Sequence, residues 1–150
     1  MTDAPDMNRH IIEEFRANGG RVSGPAEAFS LLLLHTRGAR SGAERVNPVA
    51  YQPLADAWAV FATHAGAPKH PAWYHNVVAH PETIIEVGTE TIPVRARVAV
   101  GEERERIWAR QKVFYPRFAR YEAQTAREIP VVILERLSAR RPGSRALDVS

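Results

Sequence analysis

Apolar residues recur at two different spacings along this chain, and each switch of spacing marks a new element. Ile11, Ile12 and Phe15 fall at helical spacing with Glu13 and Glu14 on the other side, which predicts a helix over Asn8–Ala17. Asn18-Gly19-Gly20 ends it, and Arg21–Ala28, with a glycine and a proline, reads as a connector. The pattern then changes to strands. Leu31–His35 is an apolar run that suits a fully buried strand. Arg45–Tyr51 is interrupted by Pro48, which suits an edge or a bulge because proline cannot donate to a ladder. Ala57–Thr63 alternates around Trp58, Val60 and Phe61, with Leu54–Ala57 as the hairpin connection before it. Thr83–Val87 and Thr91–Val100 predict another hairpin, turning at Gly88.

Two helical patterns interrupt or follow these strands. Pro71–His80 starts at one proline and stops at another, Pro81. Gly101–Ala126 opens with Glu102, Glu103 and Glu105, whose carboxylates complement a helix N-terminus. Its Ile107, Phe114, Phe118 and Tyr121 are expected on one face, and Pro116 is expected to break it into two segments. A last apolar strand covers Ile129–Leu134. About six strands with helices inserted late indicate an α+β fold, and the strands could close into a small barrel. The expected organisation is a helix and connector over 1–27, one domain over 28–137, and a mobile basic tail over 138–150.

Composition narrows the class. A chain of 150 residues fits one domain and can bury roughly 70% of its unfolded surface. At 45% hydrophobic and 25% charged residues it reads as globular rather than disordered. The absence of cysteine excludes disulfides and thiolate metal sites and is compatible with a reducing cytosol. No apolar run approaches the roughly 18 residues that span a bilayer, and Met1–Asn8 has no secretory signal core. A cytoplasmic protein is expected, with peripheral membrane contact left open. The net charge of +3 is too small to point to nucleic acid. Its distribution says more: Arg37, Arg40 and Arg45 cluster around one glycine turn, and Arg136, Arg140, Arg141 and Arg145 cluster at the carboxyl end. The second cluster reads as a solubility feature or as a surface for anionic lipid or acidic partners.

Three segments carry candidate chemistry. Gly38-Ala39-Arg40-Ser41-Gly42, followed by Arg45-Val46-Asn47-Pro48, lies between two strands. It reads either as a hairpin turn with solvated arginines or as a phosphate cradle of tight backbone and guanidinium forks. The second segment, Thr63–Asn76, places a hydroxyl at a strand end, a loop with Gly66 and Lys69, and a helix start with Trp73 and Asn76. A tryptophan can stack on a flat ring and an asparagine can read its edge; a core tryptophan and a capping network fit equally. The third is the aromatic stripe Phe114, Tyr115, Phe118 and Tyr121, either core or a pocket whose phenols orient a substrate and donate a proton. Other chemistries find little support. His70, His75 and His80 are five apart and do not share a helix face, so no metal site is expected. Neither Gly-x-Ser-x-Gly nor Gly-x-Gly-x-x-Gly occurs.

Taken together and in this order, the three segments resemble the deazaflavin-dependent nitroreductase family, which uses reduced coenzyme F-420. The matching pieces are Gly38–Gly42, Arg45-Val46-Asn47-Pro48, Ala62–Gly66, Lys69 with Pro71, Trp73-Tyr74-His75-Asn76, Tyr115-Pro116 and Ile129-Pro130-Val131-Val132. The resemblance implies a split β-barrel of the FMN-binding type. It implies Arg40, Ser41 and Arg45 around the cofactor phosphate and Asn47 near its linker. Thr63, His64, Ala72, Trp73 and Asn76 would surround the deazaflavin ring, and Tyr115, Phe118 and Tyr121 the substrate. Tyr115, Tyr121 and Thr63 are the expected catalytic set. The implied reaction is hydride transfer to a quinone or nitro compound. The alternatives are an FMN- or haem-binding protein of the same fold, or a deazaflavin store without catalysis. Monomer and homodimer both stay open. The chain departs from the pattern at Thr63 (serine in the family), His64 (lysine), and Ala50 and Phe118 (tyrosines), which puts nitroaromatic activity in question.

Overall fold

Leu32, Leu33 and Leu34 are completely withdrawn from solvent because the strand that carries them is covered on both faces. A computed structural model of the chain describes residues 3–22 and 30–137. Among them are six strands: β1 Leu31–Arg37, β2 Glu44–Leu54, β3 Ala57–Phe61, β4 Glu82–Val87, β5 Glu90–Val98 and β6 Val131–Arg136. All neighbours are antiparallel, and the order β1-β2-β3-β6-β5-β4 closes into a barrel. Four helices surround it: α1 Asp3–Ala17, α2 Ala72–Ala79, α3 Gly101–Phe114 and α4 Arg117–Ala123.

Alternation along each strand creates two cores. Leu32, Leu34, Trp58, Val60, Val132 and Leu134 fill the barrel interior, joined by Trp73 and Val77 of α2. The alternate residues Ala59, Phe61, Val131 and Ile133 face outward and meet Ile107 and Trp108 of α3 and Phe118 of α4. The rings of Phe61, Trp108 and Phe118 lie 5.7–6.2 Å apart. Buried Gln52 on β2 joins barrel to α3, donating to the Ile107 carbonyl and to Gln111 Oε1, both at 3.1 Å.

The barrel closes along a short seam. Only Leu33↔Glu86 and Leu34↔Ile85 pair β1 with β4, against seven pairs between β1 and β2. Side chains extend the seam where the ladder stops. Thr83 Oγ1 donates to the His35 carbonyl at 2.6 Å. The Glu86 carboxylate receives His35 Nε2 at 2.7 Å and both Nε and Nη2 of Arg16, on α1, at 3.0 and 2.6 Å. Phe15, 1% exposed, buries the same helix against the barrel.

This cluster makes stability depend on pH. The Arg16 guanidinium, aided by His35, holds the Glu86 carboxyl below its ordinary value, and the Lys112 ammonium, with the Trp108 indole N–H, does the same for Glu122. A carboxyl lowered in the folded state contributes above its unfolded value, and that contribution disappears as pH falls through the folded one. The thermal midpoint of Glu86→Gln is therefore expected to fall less steeply than that of wild type between roughly pH 5 and pH 3. The effect is modest because the Arg16 side chain is 50% exposed. Calorimetry at stepped pH reads it, and parallel curves would remove Glu86 from the acid limb.

The expected elements are present, with shifted ends. Helix α1 starts at Asp3 rather than Asn8. Pro48 lies where β2 extends past its ladder with β3, which covers only Tyr51–Leu54, so this proline sits beside a single partner, Leu33 of β1. Pro116 separates α3 from α4 as expected. The shared aromatic face needs correction, since Phe114 is 61% exposed while Trp108 and Gln111 are buried. The break at Tyr115-Pro116 redirects the chain, so Phe118 and Tyr121 complete the packed face and Phe114 is left under the Arg110 guanidinium, 5.4 Å from its ring. The basic tail 138–150 lies outside the described residues.

Candidate active site

The glycine turn is a closed backbone ring. Gly38 N–H donates to the Ala43 carbonyl at 2.8 Å and Gly42 N–H to the Gly38 carbonyl at 2.9 Å. Ala43 N–H donates to Ser41 Oγ at 3.1 Å, which leaves the Ser41 proton for another acceptor. Gly42 has φ +75°, a conformation that glycine adopts without strain. Arg40 on this turn and Arg45 at the start of β2 stand exposed and, among the described residues, meet no carboxylate. Several other arginines do: Arg16 pairs with Glu86, Arg95 with Glu82, Arg97 with Glu103 and Glu135, and Arg136 with Asp56. The turn is therefore a concentration of uncompensated positive charge. A cleft of about 510 Å³ adjoins the turn through Arg37 and Glu44 and carries both signs of charge, with Arg37 and Arg95 beside Glu44 and Glu82, and Thr36, His80 and Thr83 among its other walls.

Asn76 ties this turn to α2. Its Oδ1 accepts from Ala39 N–H at 3.0 Å, and its Nδ2 donates to the hydroxyl of buried Thr36 at 3.3 Å. The amide expected to read a ring edge thus holds the turn in place. Trp73, 8% exposed, belongs to the barrel interior and forms a wall rather than an open stacking surface. Ala72 is exposed at the start of α2, and Asn47 is half-buried on β2.

Between β3 and α2 the chain runs through Thr63 and the short 3-10 turn His64–Gly66. Three successive residues there have left-handed backbone: His64 at φ +49°, Ala65 at +52° and Gly66 at +83°. For His64 and Ala65 this is strained. At Gly66, already left-handed, a Cβ would press on Gln124 Cβ at 3.0 Å and on the Tyr121 carbonyl of α4 at 3.2 Å, so glycine suits this close approach. His64 Nδ1 donates to the Lys69 carbonyl at 3.1 Å, which directs Nε2 to other partners. The Thr63 hydroxyl has no partner among the described residues.

The aromatic group stands at the break between α3 and α4. Tyr115 and Tyr121 are half-buried and flank Phe118, with ring centroids 6.2 and 5.4 Å away. Phe118, 3% exposed, is packing beneath the phenols rather than an open wall. Trp108 Nε1 and Lys112 Nζ both donate to Glu122, at 2.7 and 2.9 Å, and so join the two helices. Tyr51 on β2 is a further phenol; burial and the neighbouring Tyr115 raise its pKa, so it stays protonated.

The structure thus joins the turn to α2 through Asn76, and the Thr63 loop to α4 through Gly66. Three contributors were not anticipated. Thr36 continues the inward series Leu32, Leu34, so the strand period could have revealed it. Tyr51 and Arg127, the latter in the stretch before β6, carry no such local signal. Among the described residues no group of three or more metal-ligating side chains occurs, and no helix is long and apolar enough to cross a membrane.

Residues 7–136 match the F-420H(2)-dependent quinone reductase family. The chain belongs to this family. A member from Mycobacterium tuberculosis, the F-420H(2)-dependent quinone reductase Rv1261c, is 34% identical over 126 residues, 81% of this chain and 85% of its own. A solved F-420-H2 dependent reductase, FDR-A, superposes with a TM-score of 0.65 at 40% identity, covering 70% of this chain and 93% of its own. Another structure, described as a domain-swapped dimer, gives a TM-score of 0.67 at 35% identity and covers 89% of this chain and 98% of its own. The closed six-strand barrel with surrounding helices is the split-barrel fold of these reductases.

Proposed function

We propose that this protein transfers a hydride from reduced coenzyme F-420 to a quinone-type electrophile. The observation that carries the reading is the charge of Arg40 and Arg45, which meet no carboxylate among the described residues, on and just after a turn that Asn76 fastens to α2. The group fits the residues present: two guanidinium forks and the Ser41 proton suit a phosphate, with Asn47 close in sequence for the linker. Thr63, His64, Ala72, Trp73 and Asn76 would surround the ring. When bound, the reduced coenzyme supplies the hydride.

The chain's own residues position the ring, limit water and manage one proton. The Thr63 hydroxyl and His64 Nε2 are available to a ring edge, and Trp73 closes the site on the barrel side. Tyr115 or Tyr121 donates a proton to the oxygen of the reduced acceptor. Tyr51 stays neutral beside Tyr115, and the donated proton is replaced from solvent.

A fluorescence titration with oxidised coenzyme F-420, run beside FMN, tests the cofactor. Saturable binding of F-420 in preference to FMN is expected, and preference for FMN would overturn the reading. With a quinone such as menadione, Tyr115→Phe is expected to lower turnover by about 100-fold with coenzyme affinity unchanged. Unchanged turnover would remove Tyr115 as the proton donor.

A further inference from the structure

Arg127 makes an unusual set of bonds for a charged residue. Its Nε donates to the Ala67 carbonyl at 2.9 Å, Nη1 to the Ala62 carbonyl at 3.1 Å and Nη2 to the Thr63 carbonyl at 2.7 Å. Nη1 also donates to His70 Nδ1 at 2.8 Å. No carboxylate joins it among the described residues; its neighbour Glu128 pairs instead with Arg104. A half-buried guanidinium is thus satisfied entirely by neutral acceptors, all on the segment 62–70. Because Nδ1 of His70 accepts, that ring carries its proton on Nε2. Burial, then Arg127 and His75, keep His70 below its ordinary pKa.

The bonds explain how the strained loop persists. Three consecutive left-handed residues would relax in isolation. Here the carbonyls on both sides of them, from Ala62, Thr63 and Ala67, converge on one rigid fork. The loop's own bonds account for Gly66 N–H and Ala67 N–H, which donate to the Thr63 and His64 carbonyls at 2.9 Å. The N–H groups of His64 and Ala65 find no acceptor among the described residues. With the Thr63 hydroxyl they form a set of donors on consecutive residues, the arrangement that receives a carbonyl or anionic oxygen.

We propose that Arg127 is a positioning residue for the ring end of the site. By gathering the Ala62, Thr63 and Ala67 carbonyls it holds the Thr63 hydroxyl and the His64 and Ala65 N–H groups toward the oxygen-bearing edge of a flat heterocycle. The proposal rests on the assignment of this loop to the deazaflavin ring. It separates two tasks: the Gly38–Gly42 turn binds the phosphate, and Arg127 sets the ring's orientation for transfer. Lysine keeps the charge but cannot reproduce the fork.

The test uses Arg127→Lys and Arg127→Gln in the full chain, beside wild type. Without coenzyme, NMR titration of His70 reads the clamp alone; in Arg127→Gln its pKa is expected to rise toward the ordinary value. With oxidised coenzyme F-420, affinity is expected to stay within about threefold in Arg127→Lys, since the phosphate end is untouched. The absorption of the bound coenzyme is expected to shift, and kcat per folded molecule to fall by about 10–100-fold in both variants. Wild-type kcat with an unshifted spectrum in Arg127→Lys would overturn the proposal. So would a loss that only follows the folded fraction, measured by circular dichroism. If wild type binds no F-420, the function is wrong, and the His70 titration still decides whether the clamp exists.

Discussion

Replacing Arg40 and Arg45 together by alanine is expected to weaken binding of oxidised coenzyme F-420 by at least about 100-fold, since each charge-assisted bond is worth roughly 1.5–3 kcal/mol. The melting temperature is expected to stay at the wild-type value. Both side chains are exposed and neither has a carboxylate among the described residues, so removing them leaves no orphaned partner. Raised salt is expected to weaken the wild-type complex in the same direction, because the charges stand in water. Fluorescence titration at two ionic strengths measures both effects. Binding within about threefold of wild type would place the phosphate elsewhere.

Truncating Trp108 to alanine is expected to destabilise the protein by about 3–5 kcal/mol. This ring is 1% exposed and touches Phe61 and Phe118, so it fills the core between barrel and helices. Its loss also takes an indole N–H from Glu122, which retains Lys112 as its partner. Trp108→Phe keeps most of the volume and is expected to cost about 1–3 kcal/mol through the missing donor. Urea unfolding separates the two. Costs below about 1 kcal/mol for the alanine variant would show that α3 and α4 do not depend on this core. Because Tyr115 and Tyr121 rest on Phe118, the alanine variant should also lose quinone turnover beyond its loss of folded protein.

Much of the architecture was legible in local pattern. Alternation at Ala57–Phe61, the apolar runs Leu31–Leu34 and Val131–Leu134, the turn at Gly88 and the stop at Pro116 each act within a few residues. The cross-chain roles were not. Asn76 was visible as a polar residue in an apolar helix, but its partners Thr36 and Ala39 lie 40 and 37 residues away. Arg127 looked like any basic residue in a loop, because its acceptors are backbone carbonyls and leave no side-chain signature. Phe114 shares the face of Ile107 by spacing, but it is the last residue of α3, where no further turn of that helix covers it.

The barrel wall is a hoop with one short weld. Five of its joints are ladders of four to seven residue pairs, and the sixth has two. Breathing of the wall is therefore concentrated along a single line, between β1 and β4, with Arg16, Glu86 and His35 as rivets across it. The amino-terminal helix, remote in sequence from every proposed ligand contact, is thereby part of the seam's closure. The cleft beside the glycine turn is walled from both sides of that line, by Thr36 of β1 and Thr83 of β4, so whatever loosens the weld loosens the cleft with it.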